Sequence, residues 1–246
     1  MIVAEYFDAI RRLPMGSLKD LTGGAPCVIL SPHPDDESLG TGGLIAAACD
    51  AGHRVEIVLI TDGGASHPQS PTYPRQRLIE LRRAELEQAA ELLGLPPDHL
   101  HHLGLPDTQA PTEGPPFDAA VHAIAAICIH AGAKSLLVTW DGDPHCDHQA
   151  TARIAEAVCR QHPQIALWAF PIWGWHLDPA APLDRPPPEG LRLDISAQHG
   201  RKRAAIDAHV SQMTDLIDDD PDGFRFTDQT LAPFVGPYEY YLKVSP

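Results

Sequence analysis

A chain of 246 residues, 43% of them apolar and 21% charged, is long enough to bury one large α/β core. Its formal charge of -15 excludes broad contact with nucleic-acid phosphates or anionic lipid, which need Lys/Arg-rich surfaces. The first residues carry an early acid and no long apolar run, and no stretch reaches spanning length, so neither a signal peptide nor a membrane anchor is expected.

In chain order, residues 3–12 predict a helix, and the apolar run 25–31 predicts a strand covered on both faces. A polar turn follows at 33–38, then a helix over 43–51 with Gly52 as its C-cap. A second buried strand spans 55–61. The amphipathic stretch 75–93, with Leu78, Leu81, Leu86, Ala89, Ala90 and Leu93 on one stripe, predicts a helix stopped by Gly94. Residues 99–103 read as a weaker strand, 117–130 as a helix, 135–139 as a fourth strand and 149–161 as a helix. Strands at 165–170 and 191–195 and a long helix over 196–212 complete the pattern.

This alternation implies a Rossmann-like, mostly parallel sheet with helices on both faces, folded as a single domain over 1–246 with its core at about 26–212. Proline clusters at 68–74, 106–116 and 179–188 mark long loops suited to building the walls of a site. The five cysteines show no Cys-x-x-Cys spacing. Cys27, Cys49, Cys128 and Cys159 lie in apolar runs and read as reduced packing residues, so a cytoplasmic setting is expected.

The chemistry gathers at two strand ends. Pro32-His33-Pro34-Asp35-Asp36-Glu37 begins where the first strand stops, and His145-Cys146-Asp147-His148 follows the fourth. In a parallel sheet both ends open on one edge, where ligands bind. Imidazoles and a carboxylate can fill three positions around a zinc ion and leave the fourth for water. Asp35 and Asp36, being adjacent, point in different directions, so one can bind metal and the other face the water. His145 and His148 divide the same way, one a ligand and the other a donor to an oxyanion or leaving group. Asp147 is placed to fix the tautomer of a neighbouring histidine. The bland reading, that Asp36, Glu37 and Ser38 only cap a helix, weakens once both clusters share an edge. Cys146 reads as incidental. Asp141-Gly-Asp143 offers a rival, a DxD motif for Mg²⁺- or Mn²⁺-dependent phosphoester or sugar-nucleotide chemistry; a non-catalytic sugar-binding module is a further one.

The two clusters together resemble the signatures of the PIG-L/LmbE-like N-acetylglucosaminyl deacetylases. So do Ile60-Thr61-Asp62-Gly63, Arg82-Arg83-Ala84-Glu85, Leu103-Gly104-Leu105-Pro106-Asp107, and the stretch from Lys202 to His209-Val210-Ser211-Gln212. The resemblance implies one Zn²⁺ per chain, or another divalent ion such as Fe²⁺, held by His33, Asp36 and His148. It implies Asp35 as general base, His145 as acid or oxyanion stabiliser, Asp147 as support and Arg82 near the substrate; the competing reading of Arg82 is a helix ion pair with Glu85. The implied substrate is an N-acetylated amino sugar or its conjugate, and homo-oligomerisation is compatible. Two departures stand out: Cys146 sits where proline is common, and a tyrosine that assists some members has no counterpart. Trp173 and Trp175 are candidates for stacking on a sugar face, while His67, His101, His102, His176 and His209 read as surface or supporting residues.

Overall fold

A computed structural model describes residues 1–245. The elements are α1 (Val3–Arg11), β1 (Met15–Gly16), α2 (Leu18–Thr22), β2 (Cys27–Ser31), α3 (Asp36–Asp50), β3 (Val55–Thr61), α4 (Arg75–Leu93), β4 (Leu100–Leu105) and α5 (Gly114–Ala131). They continue with β5 (Ser135–Thr139), α6 (Cys146–Gln161), β6 (Ala166–Phe170), β7 (Gly190–Asp194), α7 (His199–Asp207), α8 (Val210–Met213), α9 (Asp228–Leu231) and β8 (Tyr238–Val244). Every residue of β2, β3 and β5 is buried, as largely apolar runs in a doubly covered sheet should be; the one charge, Glu56 of β3, is paired with Arg54 and His101.

The strands form one sheet in the order β1-β7-β8-β6-β5-β2-β3-β4. From β4 to β6 all neighbours are parallel, whereas β8 runs antiparallel to both β6 and β7. The chain winds outward from β2 through β3 to β4, then restarts at β5 and winds the other way. That reversal opens a crevice at the C-terminal ends of β2 and β5. One apolar cluster packs α3, α4 and α7 on one face, and a second packs α5 and α6 on the other. The result is the expected single α/β domain.

Several boundaries differ from the sequence expectation. The turn at 33–38 is already helix from Asp36, because close packing overrides the poor propensity of Gly40, Gly42 and Gly43. A Cβ at Gly40 would lie 2.2 Å from the Phe170 ring, so glycine lets α3 sit against β6. The helix expected at 149–161 likewise starts earlier, at Cys146. The single helix expected at 196–212 is two, α7 and α8, broken at His209 with φ -78° and ψ 59°. The core also extends past residue 212, since β8 enters the middle of the sheet. Among the described residues no helix is long and apolar enough to cross a membrane, and all five cysteines are free.

A buried polar cluster anchors β8. Glu239, 3% exposed, accepts from Lys202 Nζ at 2.7 Å, Tyr241 Oη at 2.7 Å, Gly43 N at 2.7 Å and Leu44 N at 2.9 Å. Four donors satisfy the carboxylate, which is what makes a buried ion pair tolerable.

Gly190, at the start of β7, has φ +152°, and a Cβ there would stand 2.0 Å from the Tyr241 carbonyl oxygen. Gly190→Ala is expected to destabilise the fold by about 3 kcal/mol, since both backbone strain and overpacking oppose it. A denaturant midpoint equal to that of the parent would show that this edge relaxes freely.

Candidate metal centre and active site

Beyond Ser31 the chain leaves β2 through Pro32 and Pro34, which bar a continuing ladder on either side of His33. The loop is tied to the end of β3, where Thr61 donates through N (3.0 Å) and Oγ1 (2.8 Å) to the Pro32 carbonyl. Asp35 then takes φ 129°, a conformation that costs a non-glycine residue about 1–3 kcal/mol and persists only where the surroundings enforce it. α3 starts immediately afterwards, and the Asp36 carboxylate turns back to accept from His33 N at 3.0 Å.

Three donor atoms face one another at this edge. His33 Nδ1 lies 3.3 Å from Asp36 Oδ2, His148 Nε2 lies 3.2 Å from the same oxygen, and the two nitrogens are 3.3 Å apart. Bonds of about 2.0–2.2 Å in a tetrahedral shell set neighbouring donors roughly 3.3–3.6 Å apart, so this trio is spaced much as one zinc ion requires. The outer ring nitrogens are also engaged. His33 Nε2 bonds to Asp147 Oδ2 at 3.0 Å, with Asp107 Oδ1 at 3.2 Å, and His148 Nδ1 bonds to Asp143 Oδ2 at 2.9 Å. In its neutral form each imidazole donates outward and turns a lone pair inward, the arrangement that orients metal-ligating histidines.

The electrostatics agree. Burial disfavours charge on His33, but Asp107, Asp147 and Asp36 outweigh it and hold the imidazole well above its ordinary pKa. Burial likewise opposes a charged His148, yet Asp36 and Asp143 push it up to about 9. Asp36 stays low despite its burial because both histidines stabilise the carboxylate. Surroundings this rich in carboxylate favour positive charge at the trio, a demand that a divalent cation meets.

Two further titratable side chains, Asp35 and His145, lie beside these donors. Burial pushes the Asp35 carboxyl up, Arg82 pulls it down and Asp36 pushes it up again, leaving it at about 7. His145 caps α6, its Nδ1 accepting from Asp147 N at 3.2 Å, so Nε2 is the nitrogen that carries the proton in the neutral ring. Burial and then the charges on His33 and His148 bring His145 down to about 4. His33, Asp35, Asp36 and His145 line one cavity of about 270 Å³ together with Ser66, Trp173, Gln212 and Phe224. A larger groove of about 690 Å³ lies between α4 and β4 and is lined by residues such as Arg83, Glu87 and His102, away from this cluster.

The structure thus brings His33, Asp35, Asp36, His145, Asp147 and His148 together. The partner of Asp147 is His33, from the other cluster, and Asp147 also accepts from Thr108 N (2.7 Å) and Ala110 N (2.9 Å). Arg82 lines the cavity but is 3% exposed, bonding to Gly63 O (2.8 Å), Pro34 O (2.7 Å) and Asp35 Oδ2 (3.1 Å). It does not pair with Glu85, which is taken by Ser211 N and Oγ, each at 2.7 Å. The DxD reading also fails: Asp141 pairs with Arg185 at the surface, while Asp143 is buried behind His148. Cys146 is exposed. Trp173 reaches the cavity wall, but Trp175 packs inward, donating to Pro171 O at 3.0 Å. Sequence reasoning missed Asp107, Asp143 and the burial of His209. Each had a signal of a kind: Asp107 in Leu103-Gly104-Leu105-Pro106-Asp107, Asp143 in Asp141-Gly-Asp143, and His209 in the stretch from Lys202 to Gln212.

Comparison with known proteins places this geometry. Residues 28–159 match the family model PIG-L, described as GlcNAc-PI de-N-acetylase. The 1D-myo-inositol 2-acetamido-2-deoxy-alpha-D-glucopyranoside deacetylase of Mycobacterium sp. (strain JLS) is 32% identical over 258 residues, covering 87% of this chain and 81% of that protein. Among solved structures, N,N'-diacetylchitobiose deacetylase from Pyrococcus horikoshii superposes with a TM-score of 0.65 at 20% identity, over 89% of this chain and 83% of that one. GalB, the 4-carboxy-2-hydroxymuconate hydratase of Pseudomonas putida KT2440, does so with a TM-score of 0.66 at 16% identity, over 90% and 97%. The last two share the fold and differ in named reaction, so fold alone does not choose the chemistry. The sequence matches do assign the lineage: this chain belongs to the PIG-L family.

Proposed function

We propose that this protein is a zinc-dependent N-deacetylase that removes the acetyl group from an N-acetylglucosamine-type amino sugar or its conjugate. His33, Asp36 and His148 are assigned as ligands of one ion per chain. The observation that carries the reading is the three-donor trio at 3.2–3.3 Å spacing, two of whose members, His33 and Asp36, line the same cavity as Asp35 and His145. A divalent cation bound there supplies Lewis-acid polarisation and makes water acidic enough to deprotonate near neutrality.

Asp35 takes a proton from the attacking water, a role suited to a carboxyl held at about 7. Arg82 keeps that carboxylate in place. His145, neutral and bearing its proton on Nε2, donates to the developing oxyanion and then to the departing amine. The amide C–N bond breaks; water supplies the oxygen of acetate, and the amine leaves with the proton. Asp147 and Asp143 hold the two imidazoles in their ligating tautomers. Trp173 offers an aromatic face at the cavity wall, suited to the apolar side of a sugar ring. Mg²⁺ or Mn²⁺ chemistry is disfavoured, because two imidazoles select for zinc-like ions. Free thiols throughout the fold suit a reducing compartment such as the cytosol.

Purified protein is expected to carry about one zinc per chain and to release acetate from N-acetyl amino sugars; chelation stops the release and added zinc restores it. Because the ligands must shed protons to bind, zinc affinity is expected to fall as pH is lowered. Metal-loaded protein that releases no acetate across a panel of N-acetylglucosaminides would overturn the reading.

A further inference from the structure

In the His209-Val210-Ser211-Gln212 segment, unused by the mechanism above, His209, Ser211 and Gln212 are buried against the site. Its backbone breaks between α7 and α8, and the break turns the His209 imidazole, 0% exposed, onto Glu37, also 0% exposed. His209 Nε2 donates to Glu37 Oε1 at 3.2 Å, and Ser38 Oγ donates to the same oxygen at 2.6 Å. The other carboxylate oxygen, Oε2, accepts from Asp35 N at 3.1 Å. Ser31 Oγ accepts from Glu37 N at 3.1 Å and lies 2.7 Å from the His33 carbonyl and 3.1 Å from Oε2, donating its one proton to one of them. Glu37 therefore sits directly behind the loop that carries His33 and Asp35.

Two features set this contact apart from ordinary packing. Asp35 is held at φ 129°, and the peptide on its N-terminal side is gripped at both ends, its N–H by Glu37 and its carbonyl by Arg82. His209 also leaves its Nδ1 buried without a hydrogen-bond partner. The imidazole is therefore held in the interior through its other nitrogen, the one bonded to Glu37. The rest of the segment braces the same region, with Ser211 on Glu85 of α4, one turn from Arg82, and Gln212 Nε2 on Ser66 Oγ at 3.2 Å.

We infer that His209 and Glu37 form a positioning pair that holds Asp35 in its strained, reactive orientation. His209 fixes the Glu37 carboxylate through one oxygen, and Glu37 fixes the Asp35 backbone through the other. Neither residue touches substrate. The pair acts on turnover through the base, so this inference rests on the deacetylase reading.

The test compares His209→Leu, which fills the space but cannot donate, with His209→Gln, which can. Zinc content, kcat, KM and hydrogen exchange at the Asp35 amide are measured in full-length protein. His209→Leu is expected to keep zinc and hold KM within about twofold. Its kcat is expected to fall about 10–100-fold, as small misplacement of a reacting group does, and its Asp35 amide to exchange faster. His209→Gln recovers a large part of both losses. Leu231→Val, in α9, serves as a control for general destabilisation and leaves kcat unchanged. Should His209→Leu not fold, Glu37→Gln, equal in size but unable to accept on both arms, is read in its place. Parental kcat together with parental Asp35 protection in the variant overturns the inference. If the parent itself releases no acetate while the variant still loosens the Asp35 amide, the deacetylase reading fails and the positioning role stands.

Discussion

Asp35→Asn is expected to retain zinc and lose most turnover, with kcat reduced by about 10²–10⁴-fold, the usual contribution of a positioned general base. Asparagine is the informative replacement because it tolerates positive φ better than most residues, and position 35 requires φ 129°. Its carbonyl oxygen can still accept from Arg82, so the loop and the cavity wall keep their shape. The change removes the proton-accepting carboxylate and little else. Metal stoichiometry and kcat, measured on the same preparation, separate the outcomes: bound zinc with full turnover removes Asp35 from the role of base. Loss of zinc as well would mean that position 35 also governs the trio.

The second large effect concerns stability. Glu239→Ala is expected to destabilise the protein by about 3–5 kcal/mol, because it strands the Lys202 ammonium, 2% exposed, in the core. It also leaves Gly43 N and Leu44 N, in the middle of α3, without the carboxylate they donate to. For a chain of this size such a loss lowers Tm by roughly 6–20 °C. The double change Lys202→Met with Glu239→Leu should recover much of it, since a buried ion pair is often replaceable by apolar side chains. A single variant that melts with the parent would show that Lys202 finds solvent by another route.

The architecture was legible where one stretch of sequence carries its own signal. The apolar runs of β2, β3 and β5 need no partner to be recognised, and the stripe of α4 gave its boundaries. The six candidate residues from the two clusters could be grouped from sequence because topology brings the ends of β2 and β5 to one crevice. Contacts that exist only in three dimensions were not. Asp147 pairs with His33, 114 residues away, and His209 with Glu37, 172 residues away; spacing holds no trace of either. Asp143 looked like half of a DxD motif until burial separated it from Asp141. β8 carries two charges, Glu239 and Lys243, among three tyrosines, and so reads as less apolar than β3, whose one charged residue is Glu56. Glu239 is interior only because Lys202 and α3 supply donors.

The placement of β8 also orders events in time. The trio and its supporting carboxylates lie between residues 33 and 148, just beyond the ends of parallel strands that are made before β8. β6 and β7 cannot be joined until residues 238–244 arrive between them. Until then both strands present open edges that can recruit other chains, and Lys202 lacks its counter-charge. A nascent chain thus holds its candidate site before this part of the sheet is sealed, and β8, made after the strands it joins, is what covers their edges.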